Sequence, residues 1–185
     1  PNLIKSIDSL LKAAGWQFSD IGCFCVGLGP GSFTGLRIGV TVMKGFALAS
    51  KKPIKGIPSL DAIAYEGRYF KGTICPIVDA KKEMVYAAAY KAERDVLRRK
   101  GAYMVVKVEE LLKKLKGEAL FLGDGIVPYK GMIQKASRRD GLKPVFAPSQ
   151  SWYPRADVLV NLCSKDILSG KFDDVHKLNP FYLHP

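Results

Sequence analysis

The feature that most constrains this chain is an unequal repeat of apolar periodicities. Helical spacing at Leu3, Ile4, Ile7, Leu10, Leu11 and Ala14, closed by Gly15, is followed by the buried-strand run "IGCFCVG" at 21–27. A second helical stretch over 35–49, a short strand over 52–57 and a helix that Ser59 can cap, running to about residue 66, complete the first part. The second part opens on three strands, "TICPIVDA", "EMVYAAAYK" and "AYMVVKV", with a tight turn between the first two. It then returns to helix ("EELLKKLKG"), strand ("ALFLGDG"), helix (128–137), strand ("KPVFAP") and helix (156–168). Such alternation predicts an α/β chain. The repeat is one of architecture, not of sequence, and its first copy lacks the three leading strands. The spacing of the second copy predicts that roughly 35 to 45 residues are missing before Pro1, so the chain is expected to be a fragment. The stretch "RYFKG" is the expected boundary between a partial first lobe, 1–71, and a second lobe, 72–185.

Composition narrows the function classes. The chain is 48% hydrophobic, enough for a sizeable core, yet no apolar run approaches the eighteen or so residues of a membrane span. No charged-then-apolar leader is present, so cytoplasm is the expected compartment and no membrane partner is expected. Cys23 and Cys25 alternate within an apolar run, while Cys75 and Cys163 stand singly in others; all four read as buried thiols. With two histidines, His176 and His184, and neither a C-x-x-C nor an H-x-x-x-H pair, no metal site is predicted. The net charge of +12, with clusters over 91–100 and at Arg138 and Arg139, suits either an RNA or an acidic partner, or a solvated basic surface.

The stretch "GLGPGSFTGLRIGVTVMKG" at 27–45 resembles a phosphate-cradling loop but fails each specific test. Gly29 is followed six residues later by Gly35 and then by Leu36, so the Walker lysine is missing; no G-x-G-x-x-G series exists, and no nucleophile elbow fits Ser32. What remains is Gly29-Pro30-Gly31 with Ser32 and Thr34 as candidate caps. Free amides at such a helix start can attract an anion, but capping is the favoured role.

The helix that follows is apolar almost all round, through Ile38, Val40, Val42, Met43, Phe46 and Leu48, with Arg37, Thr41 and Lys44 as its polar interruptions. Thr41, Gly45 and Ala49 form an i, i+4 ladder of small residues that would admit a second helix closely. Either the first helix covers this face within one subunit or a second protein does. The favoured reading is a second protein, contacted through Leu3, Ile7, Leu10, Leu11, Ile38, Thr41, Val42, Gly45, Phe46 and Ala49.

The run Gly29, Pro30, Gly31, Ser32, Phe33, Thr34, Gly35, then Arg37, together with "KPIKGIPSLDAIA", "PIVDAKKEMVYAAAY" and the terminal "NPFYLHP", resembles the bacterial TsaB (YeaZ) family of tRNA threonylcarbamoyladenosine biosynthesis proteins. The resemblance implies an actin/sugar-kinase/Hsp70-like fold of two related lobes. It also implies a subunit without catalysis, cofactor or metal of its own, which pairs with a TsaD-like transferase. A TsaE-like ATPase would join the larger complex, with ATP and metal held by the partners. Contact with tRNA would be indirect, and a homodimer could use the same helix face. The chain departs from the family at Asp79-Ala80-Lys81, where the usual third residue is arginine, and at His184, which replaces a final arginine.

Rival readings fit less well. A phosphotransferase of this fold needs small residues after its aspartate, whereas Asp79 is followed by Ala80, Lys81, Lys82, Glu83 and Met84. A metallopeptidase lacks its ligands here. A basic RNA-binding module rests on charge alone.

Overall fold

The computed structural model describes residues 3–94, 96–136 and 141–182, in two sheets with six helices. In the first unit, α1 (Leu3–Ala13) precedes β1 (Phe24–Gly29), α2 (Phe33–Ser50) and β2 (Ile54–Pro58). β1 and β2 pair in parallel, Phe24 opposite Ile54. A parallel pair needs a crossover, and α2 supplies it. Val40 and Ala47 of α2 pack on Phe24 and Val26, with Phe18, Phe24 and Phe46 in mutual ring contact at 5.2–6.0 Å. α3 (Ser59–Tyr65) follows at once and carries the buried Leu60, Ile63 and Ala64 into the junction with the second sheet.

The second unit has strand order β5-β4-β3-β6-β7. β3 (Thr73–Asp79), β4 (Met84–Glu93) and β5 (Val96–Lys107) form an antiparallel meander; β6 (Gly117–Leu122) and β7 (Leu142–Phe146) extend β3 in parallel. α4 (Val108–Lys114) and α5 (Ile126–Ala136) cover the sheet through Leu111, Leu112, Ile126 and Ile133, against Phe121 and Ile77. The predicted order of elements is thus present throughout the described residues. The predicted end of the fifth helix at Ser137, and the cluster at Arg138 and Arg139, lie outside them.

Two local expectations need correction. Ser59 does not cap α3: it is the first helical residue, buried, with Pro58 in the cap position. The last strand of the meander is longer than "AYMVVKV", because Val96 to Lys100 pair one for one with β4 and draw the basic run into the sheet. The turn after Asp79 is made by Lys81, Lys82 and Glu83, all left-handed, with φ of 64°, 50° and 61°. Side chains with a Cβ rarely adopt that region.

Packing also crosses the expected boundary at residue 71. α6 (Ala156–Leu168) lies against β1 and β2 on the side opposite α2, bringing Cys163 Sγ within 3.2 Å of Cys25 Sγ. Beyond it, the Asp173 amide donates to the Ile54 carbonyl, and its carboxylate accepts from the Gly56 amide. Lys55 pairs with Asp166 and Asp173; burial alone would lower its pKa, but those two carboxylates raise it overall. The Phe181 amide donates to the Leu28 carbonyl. Residues 156–182, assigned to the second lobe by the sequence, therefore complete the first unit.

Candidate docking face

The glycine-rich turn is built to start α2. Gly29 ends β1 at φ 104°, and a Cβ there would lie 2.7 Å from Leu36 Cδ1. Only glycine fits both constraints. Ser32 caps the helix, its Oγ accepting from the Gly35 amide at 3.3 Å, so the helix begins at Phe33, two residues before the predicted Gly35. Thr34 is exposed and takes no cap role; Gly31 and Pro30 complete the bend, Pro30 buried and Gly31 open. The Arg37 guanidinium stacks over Phe33 at 4.0 Å and donates to the Tyr182 hydroxyl at 3.0 Å. Lys44 donates to the His176 and Leu178 carbonyls. The cations of α2 are thus occupied in holding residues 176–182 along the helix.

On the side of α2 away from Val40 and Ala47, the residues Ile38, Thr41, Gly45, Leu48 and Ala49 are all exposed. Ile38 is 51% exposed and Leu48 48%, and nothing lies within 4 Å of a Cβ at Gly45. The predicted ladder of small residues is therefore an open groove flanked by two large aliphatic side chains. Val42 is half-buried. Phe46 faces the other way, into the Phe18–Phe24 cluster, and is removed from the candidate face. Its place in the sequence among apolar neighbours on every side hid that orientation.

α1 buries none of its residues. Leu3, Ile4 and Leu10 are exposed, and Ile7 and Leu11 half-buried. The first helix therefore does not cover the open side of α2 within the chain. Leu48 joins the candidate face on exposure, although its place in the sequence marked it only as one of the apolar residues of α2.

Two polar clusters lie elsewhere. At the unit junction, Asp61 of α3 accepts from both the Tyr90 and Tyr103 hydroxyls, one oxygen serving both. Burial first, then the adjacent carboxylate, pushes both phenols up. At the ends of β3 and β6, Asp79 accepts from the Lys81 ammonium, the Lys81 amide and Tyr129, while its own amide donates to Asp124. Partial burial would raise the Asp79 pKa, yet the bonds from Lys81 and Tyr129 outweigh it and hold the carboxyl below its ordinary value. Lysine at position 81 closes the turn on Asp79 as a point donor.

Comparison with known proteins places this geometry. The family model described as TsaD, tRNA N6-adenosine threonylcarbamoyltransferase, matches residues 1–147. The tRNA threonylcarbamoyladenosine biosynthesis protein TsaB of Bacillus subtilis is 33% identical over 97% of this chain and 77% of its own length. The Escherichia coli protein of the same name is 27% identical over 98% and 78%. Among solved structures, YeaZ from Pseudomonas aeruginosa superposes with a TM-score of 0.76 at 23% identity, over 97% of this chain and 82% of that one. A second Pseudomonas aeruginosa structure, described as similar to peptidase YEAZ, gives 0.79 at 24%, over 98% and 82%. With its glycine-rich turn, its sheet order and this sequence identity along nearly its whole length, the chain belongs to the TsaB (YeaZ) family of tRNA threonylcarbamoyladenosine biosynthesis proteins.

Proposed function

We propose that the chain is a non-catalytic subunit that docks on a TsaD-like transferase through the outer side of α2 and activates it for threonylcarbamoyl transfer to tRNA. The open groove along Ile38, Gly45 and Leu48 carries this reading. A helix laid across Gly45 would bury both aliphatic side chains and approach the α2 backbone closely. ATP and metal belong, on this reading, to the transferase and to a TsaE-like ATPase in the larger complex, and the compartment is the cytoplasm.

We read the fold as the two-lobed actin/sugar-kinase/Hsp70-like architecture with a partial first lobe. The support is internal: β1-α2-β2 repeats the parallel β6-α5-β7 unit, and β6 has β3 on its other edge, where β1 has no second strand partner among the described residues. Further strands beside β1 would extend the sheet, and α1 could then cover them through Ile7 and Leu11. They would leave the outer side of α2 open, because its inner side already faces the sheet. The partner reading therefore rests on α2 more than on α1.

Docking would act by stabilising one lobe arrangement of the transferase, a shift of population. The test is co-purification with a TsaD-like subunit on a sizing column, with Gly45→Leu alongside. Open space at Gly45 means that the bulk meets nothing within the chain. The expected result is a heterodimer for the parent and free subunits for the variant, with equal melting temperatures. Assembly that survives the leucine would refute the α2 face, and a homodimer lost in the variant would assign the face to a second copy.

A further inference from the structure

We propose that Cys25 of β1 and Cys163 of α6 form a reversible, hydroperoxide-driven disulfide that clamps the last helix to the first unit, with Cys23 as the thiol that meets the oxidant. Strand alternation divides the two sides of β1. Phe24 and Val26 pack beneath α2, so Cys23 and Cys25 face the opposite side, where α6 lies. There Cys25 stands opposite Lys55 in the parallel ladder, and Lys55 reaches Asp166, three residues beyond Cys163 on α6, at 3.0 Å. The ion pair and the thiol contact thus fix the helix at neighbouring points. The Cys163 thiol donates to the Val160 carbonyl at 3.4 Å, which leaves its sulfur lone pairs to the Cys25 thiol at 3.2 Å. Closing that gap to a bond of about 2.05 Å takes about 1.2 Å of movement.

Burial decides the order of the steps. Cys163 is fully buried and Cys25 half-buried, and burial, followed by the bond to Cys163, pushes the Cys25 thiol far up. Neither offers a ready thiolate to a dissolved oxidant. Cys23 lies just before the strand, half-buried and within hydrogen-bonding reach of Cys25; burial raises its thiol overall, opposed by that bond and by the Lys55 ammonium. The Cys23 sulfur attacks a hydroperoxide, the O–O bond breaks, the alcohol leaves with the thiol proton, and Cys23 becomes a sulfenic acid. The Cys25 sulfur displaces the hydroxyl, which departs as water with the Cys25 proton, and an S–S bond forms. Cys163 then attacks the Cys25 sulfur, and Cys23 leaves as a free thiol with the Cys163 proton. Two thiols are oxidised and one hydroperoxide is reduced. Among the described residues no group of three His, Cys, Asp or Glu side chains could hold a metal ion, these thiols included. Cys75 is the internal contrast: it is buried in β3, and burial alone, with no second thiol contributing, pushes it up to about 12.

The clamp lies on the side of β1 and β2 away from α2 and does not rest on the docking reading. The test is treatment of the folded chain with hydrogen peroxide, then alkylation in denaturant, tryptic mapping and a melting curve. Trypsin places Cys23 and Cys25 in peptide 13–37, Cys75 in 72–81 and Cys163 in 156–165. The expected product links 13–37 to 156–165, with fragmentation assigning the bond to Cys25 and with Cys23 and Cys75 alkylated. Its melting temperature should rise by about 10 °C, and dithiothreitol should reverse the rise. Cys23→Ser should slow the linkage about 10-fold, and Cys163→Ala should show no rise over its own reduced form. Gly45→Leu should link as the parent does, which separates the clamp from the α2 face. Oxidation that ends at a Cys23–Cys25 bond, or at oxidised Cys23 with Cys25 and Cys163 still alkylated, would overturn the proposal. A linkage that left the melting temperature unchanged would refute the clamp, and an unchanged rate in Cys23→Ser would refute the entry role.

Discussion

The helices of the two units make an instructive pair. α4 and α5 bury Leu111, Leu112, Ile126 and Ile133 beneath a five-stranded sheet, whereas α1 buries nothing and α2 leaves Ile38 and Leu48 exposed beside an open glycine. On a helical wheel α1 is amphipathic and α2 is apolar on nearly every side, and neither pattern tells a covered side from an open one. The contrast lies in what the chain supplies to cover them: a complete sheet in one unit, two strands in the other. An amphipathic pattern therefore specifies a face to be covered and leaves open which molecule covers it.

The contrast predicts graded effects. Leu111→Ala, in the covered pair, should destabilise by about 3 kcal/mol, while Leu10→Ala in the uncovered helix should stay within about 0.5 kcal/mol by chemical denaturation. Equal losses would mean that α1 is packed after all. Next, Ile38→Ala should weaken assembly with a TsaD-like subunit by about 10-fold while leaving the melting temperature unchanged, because its side chain is half exposed in the free protein.

A third change addresses the junction between the units. Asp61→Ala strands two tyrosine hydroxyls and should cost about 2 kcal/mol, against about 1 kcal/mol for Tyr103→Phe. The smallest effect concerns pH. The folded-state pKa of Asp79 is depressed, so its contribution to stability is present above the unfolded value of 3.8 and is lost as pH falls through the lower folded value. Asp79→Asn should flatten stability against pH below about pH 4; an unchanged slope would show that Lys81 does not hold the carboxylate in solution.

Much of this was legible in the residues. The order of strands and helices, the role of the glycine-rich turn and the surplus apolar side of α2 all follow from local spacing, and Gly29 shows why: its φ and its contact with Leu36 are fixed by seven neighbouring residues. Phe46 was misassigned because α2 is apolar on nearly every side, so periodicity could not give its direction. The packing of α6 on β1 was also invisible, since Cys25 and Cys163 meet through tertiary contact that leaves no local pattern. The basic run of β5 was not read as part of a strand, because alternation there is charged on one face and apolar only at Leu97 on the other.

That late closure of the first unit has a consequence for synthesis. Cys25 and Cys163 are 138 residues apart, about 7 to 28 s of translation at ordinary rates. Throughout that interval β1 and β2 can already be paired and crossed by α2, with the surface destined for α6 still wet. The nascent protein would thus offer two sticky sides, one temporary and one permanent, and only the arrival of α6 tells them apart. A partner that engaged the chain on the ribosome would meet an ambiguous target, so assembly favours the released protein.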